Sequence, residues 1–231
     1  AIKILNMKKN FGHARCNAFG IRYALQNKKF DYLILMDGDG EDRPIELKSL
    51  ISETFKNPKT SVVAKRIKRS EGFIFQSLYE IHKIITFIFT GKKINFGNFS
   101  CLTIKDAENL STKKSLWSSY SGSFKKNIIN YSEIDSIRGT RYFGPSKMSF
   151  YNLIKHSLSI IAVFKTNVII RSILFYLIYL FLISDNITYI TSIPLILVII
   201  FAISIQGISK RENLDKLNNS LSNISNVDNL K

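Results

Sequence analysis

Cysteine is almost missing from this chain of 231 residues: Cys16 and Cys101 stand alone. They make neither a CxxC pair nor a zinc spacing. That excludes a disulfide framework and fits a reducing, cytoplasmic setting for the soluble part. Residues 1–9 read as neither a signal peptide nor a transit peptide. Acidic residues are few: 17 Asp and Glu face 33 Lys and Arg, a net charge of +16. Such an excess suits a lysine-biased solvated surface, nucleic acid or an anionic membrane surface. The basic residues come as short pairs, such as Lys28-Lys29 and Lys113-Lys114. There is no long basic arm and no base-reading helix, so a nucleic-acid partner is not expected. No internal repeat occurs. Charge itself is missing from Ser172 to Ser209, apart from Asp185.

That last absence organises the C-terminal half. Val168 to Ser184 and Ile187 to Gln206 are apolar runs separated by Asp185-Asn186. A spanning helix needs about 20 apolar residues, within a range of roughly 17–25. The pair predicts a helical hairpin through a bilayer, with Pro194 only kinking its second helix. Lys165, Arg171, Lys210 and Arg211 flank it, while its tip holds only Asp185. The positive-inside bias then places both ends in the cytoplasm, as for a multi-pass protein of the inner membrane. A homo-oligomer formed through the hairpin stays open.

Upstream, the pattern alternates. Ile2 to Met7 reads as a strand, Ala14 to Gln26 as a helix, and Asp31 to Met36 as a strand. Ile45 to Phe55 is then helical, and Thr60 to Ala64 is a β-branched strand. This succession predicts an α/β fold with a mostly parallel sheet and a ligand crevice at the strands' carboxyl ends. Phe73 to Thr90 and Phe150 to Lys165 are amphipathic and suit the sheet or a membrane interface. Asn95 to Thr103 and Tyr131 to Phe143 read as further strands and loops. Leu214 to Lys231, rich in Asn and Ser, reads as a weakly ordered tail. The expected parts are an α/β domain over 1–147, an interfacial segment over 148–166, two membrane helices over 167–206 and a cytoplasmic tail over 207–231.

The most informative stretch is Tyr32 to Pro44, YLILMDGDGEDRP. An apolar strand ending in Asp37, Asp39, Glu41 and Asp42 concentrates like charges that repel. A divalent cation with oxygen ligands relieves that repulsion. On an extended chain Asp37, Asp39 and Glu41 share one face and Asp42 points away. A calcium loop is excluded, because position six from Asp37 is Asp42, not Gly, and position twelve is Lys48, not Glu. An acidic surface turn before the helix at Pro44 is the other reading. Arg66 and Arg69 follow the next strand, as phosphate ligands or as a solvated basic turn. Arg138, Arg141, Ser146 and Lys147 share a glycine-punctuated loop just before the hairpin. It suits either a phosphate site at the membrane surface or a polybasic patch on anionic lipid.

Taken in order, NFGHARCNAFGIRYAL, FDYLILMDGDGEDRP, VVAKRIKRS, INFGNFSCL, RGTRYFGPSKMSF and two spans resemble the family 2 glycosyltransferases of GT-A fold. The resemblance is to their polyprenyl-phosphate, dolichyl-phosphate mannose synthase-like branch. It implies transfer of a sugar from a nucleotide-sugar to polyprenyl phosphate in cell-envelope glycan assembly. Asp37 and Asp39 match the DxD aspartates that hold Mg²⁺ or Mn²⁺, with Asp39 the residue on which catalysis rests. Glu41 matches the third metal-side position. Arg66 and Arg69 match phosphate-side residues, and Arg141, Ser146 and Lys147, with Arg138 beside them, match the loop that closes over the phosphates. Asn98 stands on the acceptor side, where many relatives carry Asp. An Asn cannot be a general base, but a largely dianionic phosphate acceptor needs none. The resemblance begins near the family's third strand, so an N-terminally incomplete domain is expected. A transferase with a sugar-hydroxyl acceptor and an inactive membrane-bound module are the alternatives.

Overall fold

The structure is a computed structural model describing residues 2–68, 73–144 and 149–230. The described residues divide into two compact units. The first holds 2–68, 96–144 and 212–230; the second holds 73–95 and 149–211.

In the first unit, β1 (Ile2–Met7) leads to α1 (His13–Asn27) and β2 (Tyr32–Leu35). A single 3₁₀ turn, Pro44–Glu46, opens α2 (Leu47–Lys56), as proline at a first turn permits. Next comes β3 (Ser61–Lys68). In the second unit follows α3 (Phe73–Thr90), and back in the first come β4 (Phe96–Thr103), α4 (Ile104–Ser111), α5 (Tyr120–Asn127) and β5 (Tyr131–Ile137). The side chains of Thr103 and Ser119 cap α4 and α5, accepting the Asp106 and Gly122 N–H groups at 3.2 Å each.

The main sheet has the order β2-β4-β3-β5. β2 and β3 both run antiparallel to β4, and β5 runs parallel to β3. The α/β class is as the sequence predicts, but the sheet is mixed rather than mostly parallel. The α2 crossover leaves a gap one strand wide between β2 and β3, and β4 fills it in the opposite direction. Alternation along β4 then sets the layers. Phe99 and Cys101 join Val62, Ala64 and Leu50 in the core under α2. Ser100 faces the other way and bonds the Tyr120 hydroxyl of α5 at 2.5 Å. On α1, Phe19 meets Trp117 edge-on at 5.4 Å.

The expected loose tail is instead folded. α9 (Leu214–Asn218) buries Leu217, and β6 (Ile224–Leu230) pairs antiparallel with β1. β1 therefore lies in a separate two-stranded sheet.

The second unit is helical: α3, α6 (Phe150–Ala162), α7 (Lys165–Leu182) and α8 (Tyr189–Ser209). Ile161, Val168 and Ile205 centre its core, with Ile85 and Phe89 of α3 against them. Thus α3 packs on the helices of its own unit. Arg171 donates to the Ile88 carbonyl at 2.9 Å and Asn167 to that of Thr90 at 3.2 Å, satisfying carbonyls left open at the end of α3. α8 starts in a capping box of Thr188 and Thr191 and runs through Pro194. α7 and α8 are long and apolar enough to cross a membrane, with mean hydropathy of 1.5 and 2.2 in windows only 11% buried. Their outer faces present Ile170, Leu174, Leu177, Ile196 and Ile200.

Candidate functional site

Because β2, β3 and β5 run in one direction, the segments that leave them emerge at one edge of the sheet. β4, running the other way, begins there. That edge gathers the acidic segment after β2, Arg66 near the end of β3, Gly97 and Asn98 at the start of β4, and the arginine loop after β5.

The acidic segment does not continue as strand. β2 stops at Leu35, and the chain then turns on itself, with Gly40 at φ 92°. Asp39 accepts the Glu41 N–H at 3.1 Å, and Asp42 reaches back to accept the Asp37 N–H at 2.9 Å. The alternating face expected of Asp37, Asp39 and Glu41 is therefore not formed, since local carboxylate-to-backbone bonds favour a turn. Asp42, expected to point outward, is buried. Burial pushes its pKa up to about 6, against the Asp37 N–H bond, while neighbouring Asp37 adds to the rise.

The loop after β5 folds down over this turn. Gly139 N–H donates to the Glu41 carbonyl at 2.8 Å, and Tyr142 N–H to that of Asp39 at 2.9 Å. The approach is so close that a Cβ on Gly139 would lie 2.7 Å from the Gly40 carbonyl oxygen, and one on Gly40 would lie 2.8 Å from the Tyr142 ring. Below it, Glu46 accepts the Ser136 hydroxyl at 2.6 Å and the Ile137 N–H at 2.9 Å, and also pairs with Arg43. Burial opposes ionisation of Glu46, but these bonds outweigh it and lower its pKa. They fix where Arg138 leaves the strand.

Two arginines then converge on Glu41. Arg138 donates to Glu41 Oε2. Arg141 donates through Nε to Oε1 at 3.0 Å and through a terminal nitrogen to Oε2 at 3.3 Å. Arg141 also lies 3.3 Å from Asp39. On the other side, Asn98 donates to Asp37 Oδ1 at 3.0 Å and touches the His13 ring. His13 Nε2 is 4.0 Å from the same Asp37 oxygen. Arg66 crosses β4 over Gly97, where a side chain would collide with its guanidinium, and reaches within 3.9 Å of Asp42.

Asp37, Asp39, Glu41, Arg66, Asn98, Arg138 and Arg141 thus share one edge. Arg69, Ser146 and Lys147 lie outside the described residues. Asn98, expected on the acceptor side, bonds the first aspartate. His13, Glu46 and Tyr142 are not singled out by the sequence pattern. The one signal for His13 was its place at the glycine turn that opens α1.

Among the described residues no three His, Cys, Asp or Glu side chains form a metal-holding group. Mg²⁺ and Mn²⁺ do not need one. Such hard cations are held through one or two carboxylates, with substrate phosphates and waters completing the shell. Asp37 and Asp39 fit that donor set, with side chains 24% and 35% exposed; Glu41, at 8%, is enclosed by arginines.

No curated protein matches the chain. The model of glycosyl transferase family 2 matches residues 1–116, half of the chain and the part that supplies His13, Asp37, Asp39, Glu41, Arg66 and Asn98. The chain belongs to the family 2 glycosyltransferases.

Proposed function

We propose that the chain is a membrane-anchored, inverting glycosyltransferase that moves a sugar from a nucleotide-sugar to polyprenyl phosphate on the cytoplasmic face. The observation that carries this reading is the meeting of Asp39 with Arg141, 3.3 Å apart, at the shared edge of β2 and β5. A carboxylate that can hold a cation and an arginine fork that can grip phosphate suit a diphosphate bridged between metal and protein.

Asp37 and Asp39 would hold Mg²⁺ or Mn²⁺, which when bound neutralises the charge of a nucleoside diphosphate. Arg66, Arg138 and Arg141, with Arg69, Ser146 and Lys147, orient the two anionic substrates. An acceptor phosphate oxygen attacks the anomeric carbon as the bond to the diphosphate breaks, and the diphosphate leaves with the electron pair. Asn98 takes no proton; it holds Asp37 by its amide. A phosphate acceptor needs no base, so catalysis rests on positioning and charge. The apolar outer faces of α7 and α8 support bilayer anchoring beside a lipid acceptor. A sugar-hydroxyl acceptor is the second reading, and His13 favours it by placing an imidazole beside Asn98.

The test incubates membranes carrying the full chain with a panel of labelled nucleotide-sugars and polyprenyl phosphate. The expected result is label in a lipid-extractable, acid-labile product, with Asp39→Ala reducing transfer by about a hundredfold or more. Unchanged transfer in Asp39→Ala sinks the metal assignment, and label in an acid-stable glycan favours the hydroxyl acceptor.

A further inference from the structure

Glu41 stands at the third acidic position of the turn, yet its surroundings are those of an anion held by cations. Its carboxylate is buried, and both oxygens are taken: Oε1 by Arg141, Oε2 by Arg138 and Arg141. A divalent cation there would displace these donors and then face two guanidiniums, one of them, Arg138, only 11% exposed. Its backbone is pinned as well, because the Glu41 carbonyl accepts the Gly139 N–H. From this geometry we infer that Glu41 is a positioning residue for Arg138 and Arg141, and not a metal ligand. The inference rests on the donor-binding reading above and assigns part of the diphosphate site.

The role follows from what the pair would do without it. Two guanidiniums three residues apart in one loop repel, and each long side chain has rotamers to lose on binding. The Glu41 carboxylate removes the repulsion and fixes both planes before a ligand arrives. Arg141 is the member that also reaches Asp39, so Glu41 sets one cation beside the carboxylate expected to hold the other. A diphosphate then meets a metal and an arginine already in register. Pre-organisation of this kind strengthens anion binding by removing the cost of ordering. Removing Glu41 leaves the acidic pair intact and the arginines loose.

The test uses the full-length protein in detergent, with Mn²⁺ alone and then a nucleoside diphosphate (UDP or GDP) in saturating Mn²⁺ as probes. Glu41→Ala is expected to keep Mn²⁺ affinity within about threefold of the parent while weakening the nucleoside diphosphate by about tenfold or more. Glu41→Gln, which retains one carbonyl acceptor, should fall between. In an Arg138→Gln/Arg141→Gln background, adding Glu41→Ala should cost nothing further, as a residue acting only through the arginines requires. Retained Mn²⁺ binding also reports that the variants are folded. A tenfold loss of Mn²⁺ affinity in Glu41→Ala, or a nucleotide effect that persists without the arginines, overturns the inference and leaves the function standing. Failure of the parent protein to bind either nucleoside diphosphate in Mn²⁺ overturns the function itself, and the inference with it.

Discussion

A proton on Asp42 shifts the balance of the acidic turn. Its carboxyl is buried, held at about pKa 6, and only partly offset by Arg66 at 3.9 Å. The folded state takes up this proton before the unfolded chain does. Between about pH 4 and pH 6, then, folding is linked to proton uptake, and stability falls as pH rises through that window. Above it, the charged form is a standing cost. Asp42→Asn keeps a carbonyl oxygen for the Asp37 N–H and removes the charge. The expected outcome in metal-free buffer is a gain of up to about 3 kcal/mol at pH 7.5 and coincidence with the parent below pH 4, followed by thermal unfolding across pH. An unchanged pH profile would show that Asp42 titrates normally. At this scale the sequence told half the story. Asp37 and Asp39 were legible because an apolar strand that ends in carboxylates is a local signal. The partners of Glu41 were not, since Arg138 and Arg141 lie about a hundred residues away and only the parallel pairing of β3 with β5 brings them over.

Secondary structure was legible where it was locally encoded. β1, α1, β2 and β3 follow from period and turn residues. α4 had a readable signal in Thr103-Ile104-Lys105-Asp106, a capping residue three before an acid, which the apolar pattern alone does not reveal. β6 had none. In ISNVDNL the apolar residues Ile224, Val227 and Leu230 fall three apart, and Asn, Ser and Asp disfavour strand. What makes it a strand is β1: six paired positions, an Asn6 to Asp228 side-chain bond at 2.7 Å, and Lys8 N–H on the Asn223 carbonyl at 3.0 Å. A chain ending after Asn218 keeps Leu217 buried but takes away the partner of β1. It is expected to expose Ile2 to Met7 to proteolysis while leaving β2 to β5 protected. Limited digestion with fragment mapping checks this, and equal protection of Ile2 to Met7 in both chains would show that β1 needs no β6.

At the scale of the whole molecule, connectivity constrains topology more than composition does. α7 and α8 are joined by only the short turn around Asp185, so if they cross a bilayer they do so in opposite directions. The segments before α7 and after α8 then emerge on one side. That side must carry the α/β unit, because residues 212–230 fold back into it. On the proposed bilayer reading, the positive charge at Lys165, Arg171, Lys210 and Arg211 would place that side in the cytoplasm, and the turn with its single Asp185 on the opposite face. The native cysteines make the proposal measurable. Cys16 is exposed on α1, and Cys101 is buried in the sheet. In cells expressing Asn186→Cys, a membrane-impermeant maleimide added outside should label the protein once, and a Cys16→Ser change should not alter that signal. After lysis, a second site should label, and Cys16→Ser should abolish it. Labelling of Cys16 in intact cells would invert the topology. Labelling of neither site before lysis, with both afterwards, would instead show that the hairpin does not cross.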